Sequence, residues 1–260
     1  MASVARILSR MPSPVHARLA RLAGRSALAQ RAADALLGDL NERVVRIARG
    51  AGAGLLFNAA GSMPTYALGT AEPLVQEALA SVLRPGMVVY DLGCNVGFFT
   101  VIAARAVGPG GRVIAFDALP ANVAATRANA ALNGLENVEL HAQAVGSYDG
   151  PGSFAAGSRS VWGRLDPAAG DVEVDVVALD GPIAAGELPP PDVIKLDVEG
   201  GEADALAGLE HTLREHRPLV FVETHETEAP VRAALQGYDL RRLDPSESDA
   251  NAHYLATRRP

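Results

Sequence analysis

The chain has 260 residues, of which 48% are hydrophobic, and it carries a net charge of −7. This length suits one large domain with an added segment, and the acidic balance disfavours a polyphosphate such as RNA as the partner. The single cysteine excludes an internal disulfide, so an oxidising compartment is not implied. Because no opening stretch resembles a signal peptide and no apolar run is long enough to span a bilayer, we expect a soluble cytoplasmic protein.

The first 60 residues differ from the rest of the chain. Apolar residues recur at helical spacing to about residue 48, which predicts helices, and a small-residue linker follows at 50–54. The first 50 residues carry nine arginines and three acidic residues, so the remaining 210 have a net charge of −13. We interpret residues 1–60 as a helical cap or oligomerisation segment that forms a homo-oligomer. The alternative is a basic surface that associates weakly with anionic lipid or an acidic carrier domain. Residues 55–70 are expected to form an irregular cover over a pocket.

From Pro73 the chain alternates between helical and strand patterns. The predicted elements are helices over 73–83, 97–107 and 121–132 and strands over 87–91, 112–116 and 138–144. This alternation is typical of an α/β fold with a doubly wound, mainly parallel sheet.

Residues 145–182 break the alternation. Short strand patterns at 153–156 and 171–179 flank a loop rich in glycine and serine, which predicts an insertion with an antiparallel pair and no helix. The alternation then resumes. The later predicted elements are strands over 193–197 and 219–223, helices over 202–216 and 230–236, and a closing antiparallel hairpin of 238–243 with 253–257.

The segment after the first core strand is the most informative. The strand ends in Asp91, and a loop with Gly93, Asn95 and Gly97 leads into a helix. A dinucleotide-binding loop needs glycine at its first, third and sixth positions, but here the third is Asn95 and the sixth is Phe98. The loop therefore disfavours NAD and FAD and favours binding of the methionine half of S-adenosylmethionine.

Two strand ends carry residues suited to the rest of this cofactor. Asp117 ends the second core strand, where a carboxylate accepts both hydroxyls of a ribose; its alternative role is a helix N-cap. Gln143 ends the third strand, where its amide serves an adenine; its alternative is an ordinary exposed side chain. Asn122, inside the next helix, is expected to be solvated.

Acidic residues follow the next two strands. Asp197, Glu199 and Glu202 come after one strand, and Glu223 and His225 end its neighbour. Asp197, Glu223 and His225 are expected to converge on one point. His225, with a pKa near neutrality, would act as a general base for a hydroxyl. Alternatively, the three hold a divalent cation such as Mg²⁺, which lowers the pKa of that hydroxyl. The acids Asp197, Glu199 and Glu202 are suited to bind a cation, to hold the ammonium group of the cofactor or to act as a base with a raised pKa. For Glu202 we favour the alternative, an acid that stabilises a helix N-terminus.

These motifs in this order resemble the FkbM family of S-adenosylmethionine-dependent methyltransferases. The segments that carry the resemblance are 69–73, 90–97, 116–122, 194–202 and 223–225. The resemblance implies a class I methyltransferase fold over residues 61–260, with a Rossmann-like, mainly parallel sheet of seven strands and an antiparallel C-terminal hairpin.

The resemblance also implies roles for individual residues. Asp91, Gly93, Asn95 and Gly97 would form the cofactor loop, and Asp117 would bind the ribose, although the family more usually has Glu-Pro at positions 117 and 118. Thr70 and Glu72 would touch the methionine moiety; helix capping ahead of Pro73 is their alternative.

The predicted function is O-methylation of a hydroxyl on a small molecule, a natural product or a sugar or glycolipid. His225, Asp197 and Glu223 are the predicted catalytic residues, and Tyr66 and Trp162 are expected to shape the acceptor pocket. The alternatives are an RNA or protein methyltransferase and a non-catalytic, cofactor-binding partner subunit.

Overall fold

The computed structural model describes residues 43–60, 62–156, 163–165, 172–245, 248 and 250–259. They fall in two compact units, of which the first ends at Glu77 and the second begins at Ala78. The helices predicted within residues 1–42 and the side chain of Trp162 lie outside the described residues, and the boundary predicted at residue 60 remains a prediction. No helix in the described part of the chain is long and apolar enough to cross a lipid bilayer.

The first unit contains a short antiparallel strand pair. β1 (Val45–Arg46) pairs with β2 (Leu56–Phe57), and residues 50–54 form the turn between them. The prediction of a helix to residue 48 and of a linker at 50–54 is therefore wrong. Gly50 and Gly54 adopt φ angles of 69° and 89°, which side chains disfavour, and these angles let the chain reverse.

Two helices follow in this part of the chain. α1 (Pro64–Leu68) lies within the segment predicted to be irregular and ends at Gly69, whose φ is 71°. Tyr66 packs edge-on against Phe57, with ring centroids 6.3 Å apart. α2 (Pro73–Val82) agrees with the predicted helix to within one residue.

The second unit begins with alternating strands and helices. Its elements are β3 (Val88–Leu92), α3 (Phe98–Val107), β4 (Arg112–Phe116), α4 (Pro120–Leu132), β5 (Val138–His141), β6 (Ala144–Val145), β7 (Gly150–Ala156), β8 (Gly163–Leu165), β9 (Val172–Val177), α5 (Asp180–Ala184), β10 (Val193–Leu196), α6 (Glu202–Ala207), α7 (Glu210–Glu215), β11 (Leu219–His225), α8 (Glu228–Ala234), β12 (Tyr238–Arg242) and β13 (Asn251–Arg258).

Seven of the described strands form one sheet in the order β12-β13-β11-β10-β3-β4-β5. The five strands from β11 to β5 are parallel, and β13 lies antiparallel between β11 and β12. The predicted doubly wound sheet with a C-terminal hairpin is confirmed. Because parallel strands end at the same edge, the residues that follow β3, β4, β10 and β11 lie along one crest.

The central strands are buried on both faces, as their continuous apolar runs predict. All four residues of β10 are buried, and Tyr90, Leu92, Ile114 and Ile194 are fully buried in the core. Burial of each such large side chain contributes about 1.5–3 kcal/mol relative to its exposure. The core therefore fixes the strand ends that carry the polar residues.

A second sheet has the order β6-β9-β7-β8. Its β7 and β9 form the predicted antiparallel pair, with Gly150 opposite Val176. The strand predicted over 138–144 instead ends at His141, and Ala144–Val145 leaves the main sheet to pair with β9. α5 also begins inside the region predicted to lack a helix.

The single helix predicted over 202–216 is two helices, α6 and α7. A Cβ at Gly208, between them, would lie 1.9 Å from the carbonyl oxygen of Gly146, so the main chains touch there. The Asp180 carboxylate accepts hydrogen bonds from the backbone N–H groups of His211 and Thr212, each at 2.8 Å, and so caps the N-terminus of α7. These tertiary contacts divide a helical pattern that is continuous over residues 202–216 of the sequence.

We expect Gly208→Ala to destabilise the protein by about 1–3 kcal/mol, because the new methyl group must push apart two main-chain segments. Gly181→Ala is the matched control: nothing lies within 4 Å of its added Cβ, and its effect should stay below about 1 kcal/mol. Urea unfolding followed by circular dichroism measures both. Equal stability of the two variants would contradict the packing described here.

Candidate active site

The loop after β3 packs its main chain against the end of β10. Gly93 has a φ of 83°, and a Cβ there would lie 1.8 Å from the carbonyl oxygen of Asp197. The N–H groups of Gly93 and Cys94 both donate to the carbonyl of Phe116 at 2.9 Å. Bare backbone at Gly93 therefore joins three strand ends.

Gly97 has a comparable role at the start of α3. Its φ is 84°, and a Cβ there would lie 2.6 Å from the Thr126 side chain of α4. The sequence analysis explained Gly93 and Gly97 by the approach of a ligand. The structure adds a reason within the protein, since both positions are closed to side chains by neighbouring elements.

Asp117 ties this loop to the β4–α4 connection. Its carboxylate accepts hydrogen bonds from the N–H groups of Asn95 at 2.8 Å and Leu119 at 3.0 Å, and from the Asn122 amide at 2.9 Å. Asn122 is buried, so the expectation of a solvated side chain is wrong. Burial raises the pKa of Asp117 to about 6, although its three hydrogen bonds oppose this shift. The ribose role stays a prediction.

The other residues assigned to the cofactor have local partners. Asp91 is buried and accepts a hydrogen bond from the Thr100 hydroxyl at 2.5 Å. Gln143 lies between β5 and β6, half-buried, and its side chain makes no hydrogen bond to the described residues. In the first unit, the N–H of Thr70 donates to Thr65, and the carbonyl of Glu72 accepts from Gln76 at the start of α2. The cofactor contacts predicted for these residues stay predictions.

The predicted convergence of Asp197, Glu223 and His225 is present. His225 Nε2 lies 4.0 Å from Asp197 Oδ1, 3.5 Å from Glu223 Oε1 and 3.4 Å from Glu199 Oε2. Ligand atoms of Asp197, Glu223 and His225 all lie within 4.8 Å of one another. We call these four residues, together with Glu202, the acid–histidine cluster.

Glu202, which opens α6, also contacts His225 of this cluster. Its fully buried carboxylate lies 2.9 Å from His225 Nδ1 and accepts hydrogen bonds from the Thr227 hydroxyl at 2.6 Å and the Gly200 N–H at 2.8 Å. Burial alone would raise the pKa of Glu202, but these hydrogen bonds hold it below its usual value. Glu202 is the first residue of α6, as predicted, but its side chain contacts His225.

The cluster sets the charge of His225. Burial alone would lower the pKa of this imidazole, but its hydrogen bond to Glu202 and the nearby charges of Glu223 and Asp197 raise it to about 11. The expectation that His225 titrates near neutrality is therefore wrong for the protein without ligands. Burial raises the pKa of Glu199, the most exposed acid of the cluster.

Two further side chains balance the acids. Lys195, almost fully buried, donates to Asp197 Oδ2 at 3.1 Å and lies 4.8 Å from the centre of the Phe99 ring. His253 Nε2 lies 3.0 Å from Glu223 Oε2, because β13 places these residues directly opposite each other. The nearby imidazoles of His225 and His253 outweigh burial and lower the pKa of Glu223.

The sequence analysis missed His253 and Thr227. His253 was assigned only to the closing hairpin, and its pairing with Glu223 depends on the register between β11 and β13. Thr227 lies two residues after His225. A threonine at such a position is as typical of a turn as of a functional site.

A family model described as the methyltransferase FkbM domain matches residues 91–243. The 31-O-demethyl-FK506 methyltransferase FkbM of Streptomyces tacrolimicus is 27% identical over 215 residues, which cover 68% of this chain and 82% of that protein. An arsenite methyltransferase of Halobacterium salinarum is 40% identical over 79 residues, 30% of this chain and only 19% of its own length. A crystallised methyltransferase FkbM of Methylobacillus flagellatus is 17% identical, with a TM-score of 0.49, and the match covers 72% of this chain and 51% of that one.

Asp117 gives the protein a measurable pH dependence. Its pKa is raised from 3.8 to about 6 in the folded chain, so the folded state binds this proton more readily than the unfolded state and loses stability as the pH rises through both values, from about 3 to about 7. At 1.36 kcal/mol per pKa unit, we expect the wild type to lose ~3 kcal/mol over this window relative to Asp117→Asn. Urea unfolding of both proteins at several pH values measures the difference; a constant difference would contradict the assignment.

Proposed function

Because the family match covers more than half of the chain, the protein belongs to the FkbM methyltransferase family, and we propose that it methylates a hydroxyl of a small molecule. The acceptor class we propose is a natural product, a sugar or a glycolipid. The relative from Streptomyces tacrolimicus, which is named for 31-O-demethyl-FK506, supports an acceptor of the first kind. The acidic chain disfavours RNA as the acceptor.

One observation carries the proposal: the acid–histidine cluster adjoins the glycine loop. The carbonyl of Asp197 packs on Gly93, while its carboxylate faces Lys195 and His225. A cofactor on the loop and an acceptor hydroxyl at the cluster would therefore be neighbours. Alignment of two reactants lowers the barrier of such a transfer by up to about 7–11 kcal/mol.

The residues along the crest fit S-adenosylmethionine, the cofactor of this family. When bound, it supplies a methyl group activated by the positive charge on its sulfur. Asp117 accepts three hydrogen bonds, and since a carboxylate has about four acceptor positions, one remains for a ribose hydroxyl. The half-buried amide of Gln143 offers both a donor and an acceptor to an adenine.

Two arrangements of the cluster suit the removal of a proton from the acceptor hydroxyl. In the first, the Asp197 carboxylate accepts the proton and the imidazolium of His225 orients the surrounding carboxylates. In the second, His225 would release its Nε2 proton to solvent and, with Asp197 and Glu223, would hold a divalent cation that lowers the pKa of the hydroxyl. We favour the second, because Glu202 on Nδ1 leaves Nε2 directed towards the other acids, as in many carboxylate–histidine–metal sites.

The first experiment combines cofactor binding with product detection. Titration calorimetry with S-adenosylmethionine should show binding, and mass spectrometry should detect a methylated product within a panel of glycosides and macrolides. We expect a chelator to reduce turnover and added Mg²⁺ or Mn²⁺ to restore it. Undiminished turnover with the chelator would assign the chemistry to the carboxylates alone; binding without any product would favour a non-catalytic subunit.

His225→Ala and Glu223→Ala test the cluster itself. Loss of a group that assists proton transfer costs about 100-fold or more in kcat, whereas the affinity for S-adenosylmethionine should change little because both residues lie outside the glycine loop. His211→Ala, on the exposed surface of α7, is the matched control. Full turnover in both cluster variants would refute the proposed site.

A further inference from the structure

We propose that Glu202 is the positioning residue that fixes the imidazole of His225 in the orientation the reaction needs. The inference rests on the proposed function for its kinetic consequence and on geometry alone for the orientation. It concerns a residue for which the sequence favours a helix-terminal role.

The Glu202 carboxylate is held from three sides. Gly200 donates from the loop before α6, Thr227 donates from the turn after β11, and His225 Nδ1 lies 2.9 Å away. The side chain is fully buried, so water cannot replace any of these partners without rearrangement. A carboxylate held in this way presents one fixed oxygen to the imidazole.

The bond to Nδ1 determines where the rest of the ring points. An imidazole turns about two side-chain bonds, and a fixed partner at one nitrogen removes that freedom. In this orientation Nε2 faces Asp197, Glu199 and Glu223 at 3.4–4.0 Å. Without Glu202, either ring nitrogen is able to turn towards these three acids.

The helix-terminal explanation does not account for this geometry. An acid that stabilises a helix end acts on the free N–H groups of that helix. The partners of the Glu202 carboxylate are Gly200, Thr227 and His225, which all lie outside α6.

The test compares Glu202→Gln with Glu210→Gln. Glu210 opens α7 as Glu202 opens α6, but it is exposed, so it controls for the loss of an acid at a helix start. Nitrogen-15 NMR of histidine-labelled protein, without cofactor or acceptor, should show a slowly exchanging Nδ1–H resonance of His225, assigned by its absence in His225→Gln. We expect Glu202→Gln to shift this resonance and speed its exchange, and Glu210→Gln to leave it unchanged.

Kinetics provide the second measurement. We expect Glu202→Gln to reduce kcat by about 10- to 100-fold, the usual cost of losing a group that orients a histidine, with unchanged affinity for S-adenosylmethionine. Glu202→Asp should recover part of the loss, because it restores the carboxylate with a shorter reach. Thr227→Val, which removes one of the hydrogen bonds that hold Glu202, should move the same resonance less and provides the test if Glu202→Gln does not fold.

The two proposals fail in different ways. If the His225 resonance is the same in Glu202→Gln, Thr227→Val and wild type, Glu202 does not orient the ring, whatever the enzyme methylates. If the resonance responds as expected but no acceptor is methylated by the wild type, the orientation stands and the proposed reaction is wrong.

Discussion

The site depends on the contact between the main chains of Gly93 and Asp197. A Cβ at Gly93 would lie 1.8 Å from the Asp197 carbonyl oxygen, so only glycine allows β3 and β10 to end side by side with this spacing. The contact leaves the Asp197 carboxylate on the side of Lys195 and His225. One steric constraint in the backbone therefore places the proposed cofactor loop and the acid–histidine cluster next to each other.

The cluster is stable because cations are distributed among its acids. Like charges at short distances are costly where water is scarce, and burial adds a cost for each charged group. His225 lies among the acids, while Lys195 from β10 and His253 from β13 pair with Asp197 and Glu223. Neighbouring strands thus supply opposite charges at the same level of the sheet, and the site forms only when their register is correct.

The sequence predicts those features that local patterns determine. Apolar runs ending in acids predict both the parallel strands and the meeting of Asp197 with His225, because parallel strands share an edge. Features that depend on contacts distant in sequence are not predicted: the break at Gly208 requires Gly146, and the hydrogen bond of Glu202 requires the turn after β11. For this reason the helix-terminal role of Glu202 was favoured over a role in the cluster, since an acid at the start of a helix has an adequate local explanation.

Asp117 and Glu202 are both buried carboxyl groups, but the pKa of one is raised and that of the other is lowered. Glu202 accepts two neutral hydrogen bonds and faces a cationic imidazole, and its pKa is lowered. Asp117 accepts three neutral hydrogen bonds, no cation among the described residues contacts it, and burial raises its pKa. A further hydroxyl donor stabilises the charged form of Asp117, whereas the acids around His225 already have cationic partners. The loop side of the crest is thus suited to a ligand that donates hydroxyl hydrogens, and the cluster side to one that exchanges a proton or brings a positive charge.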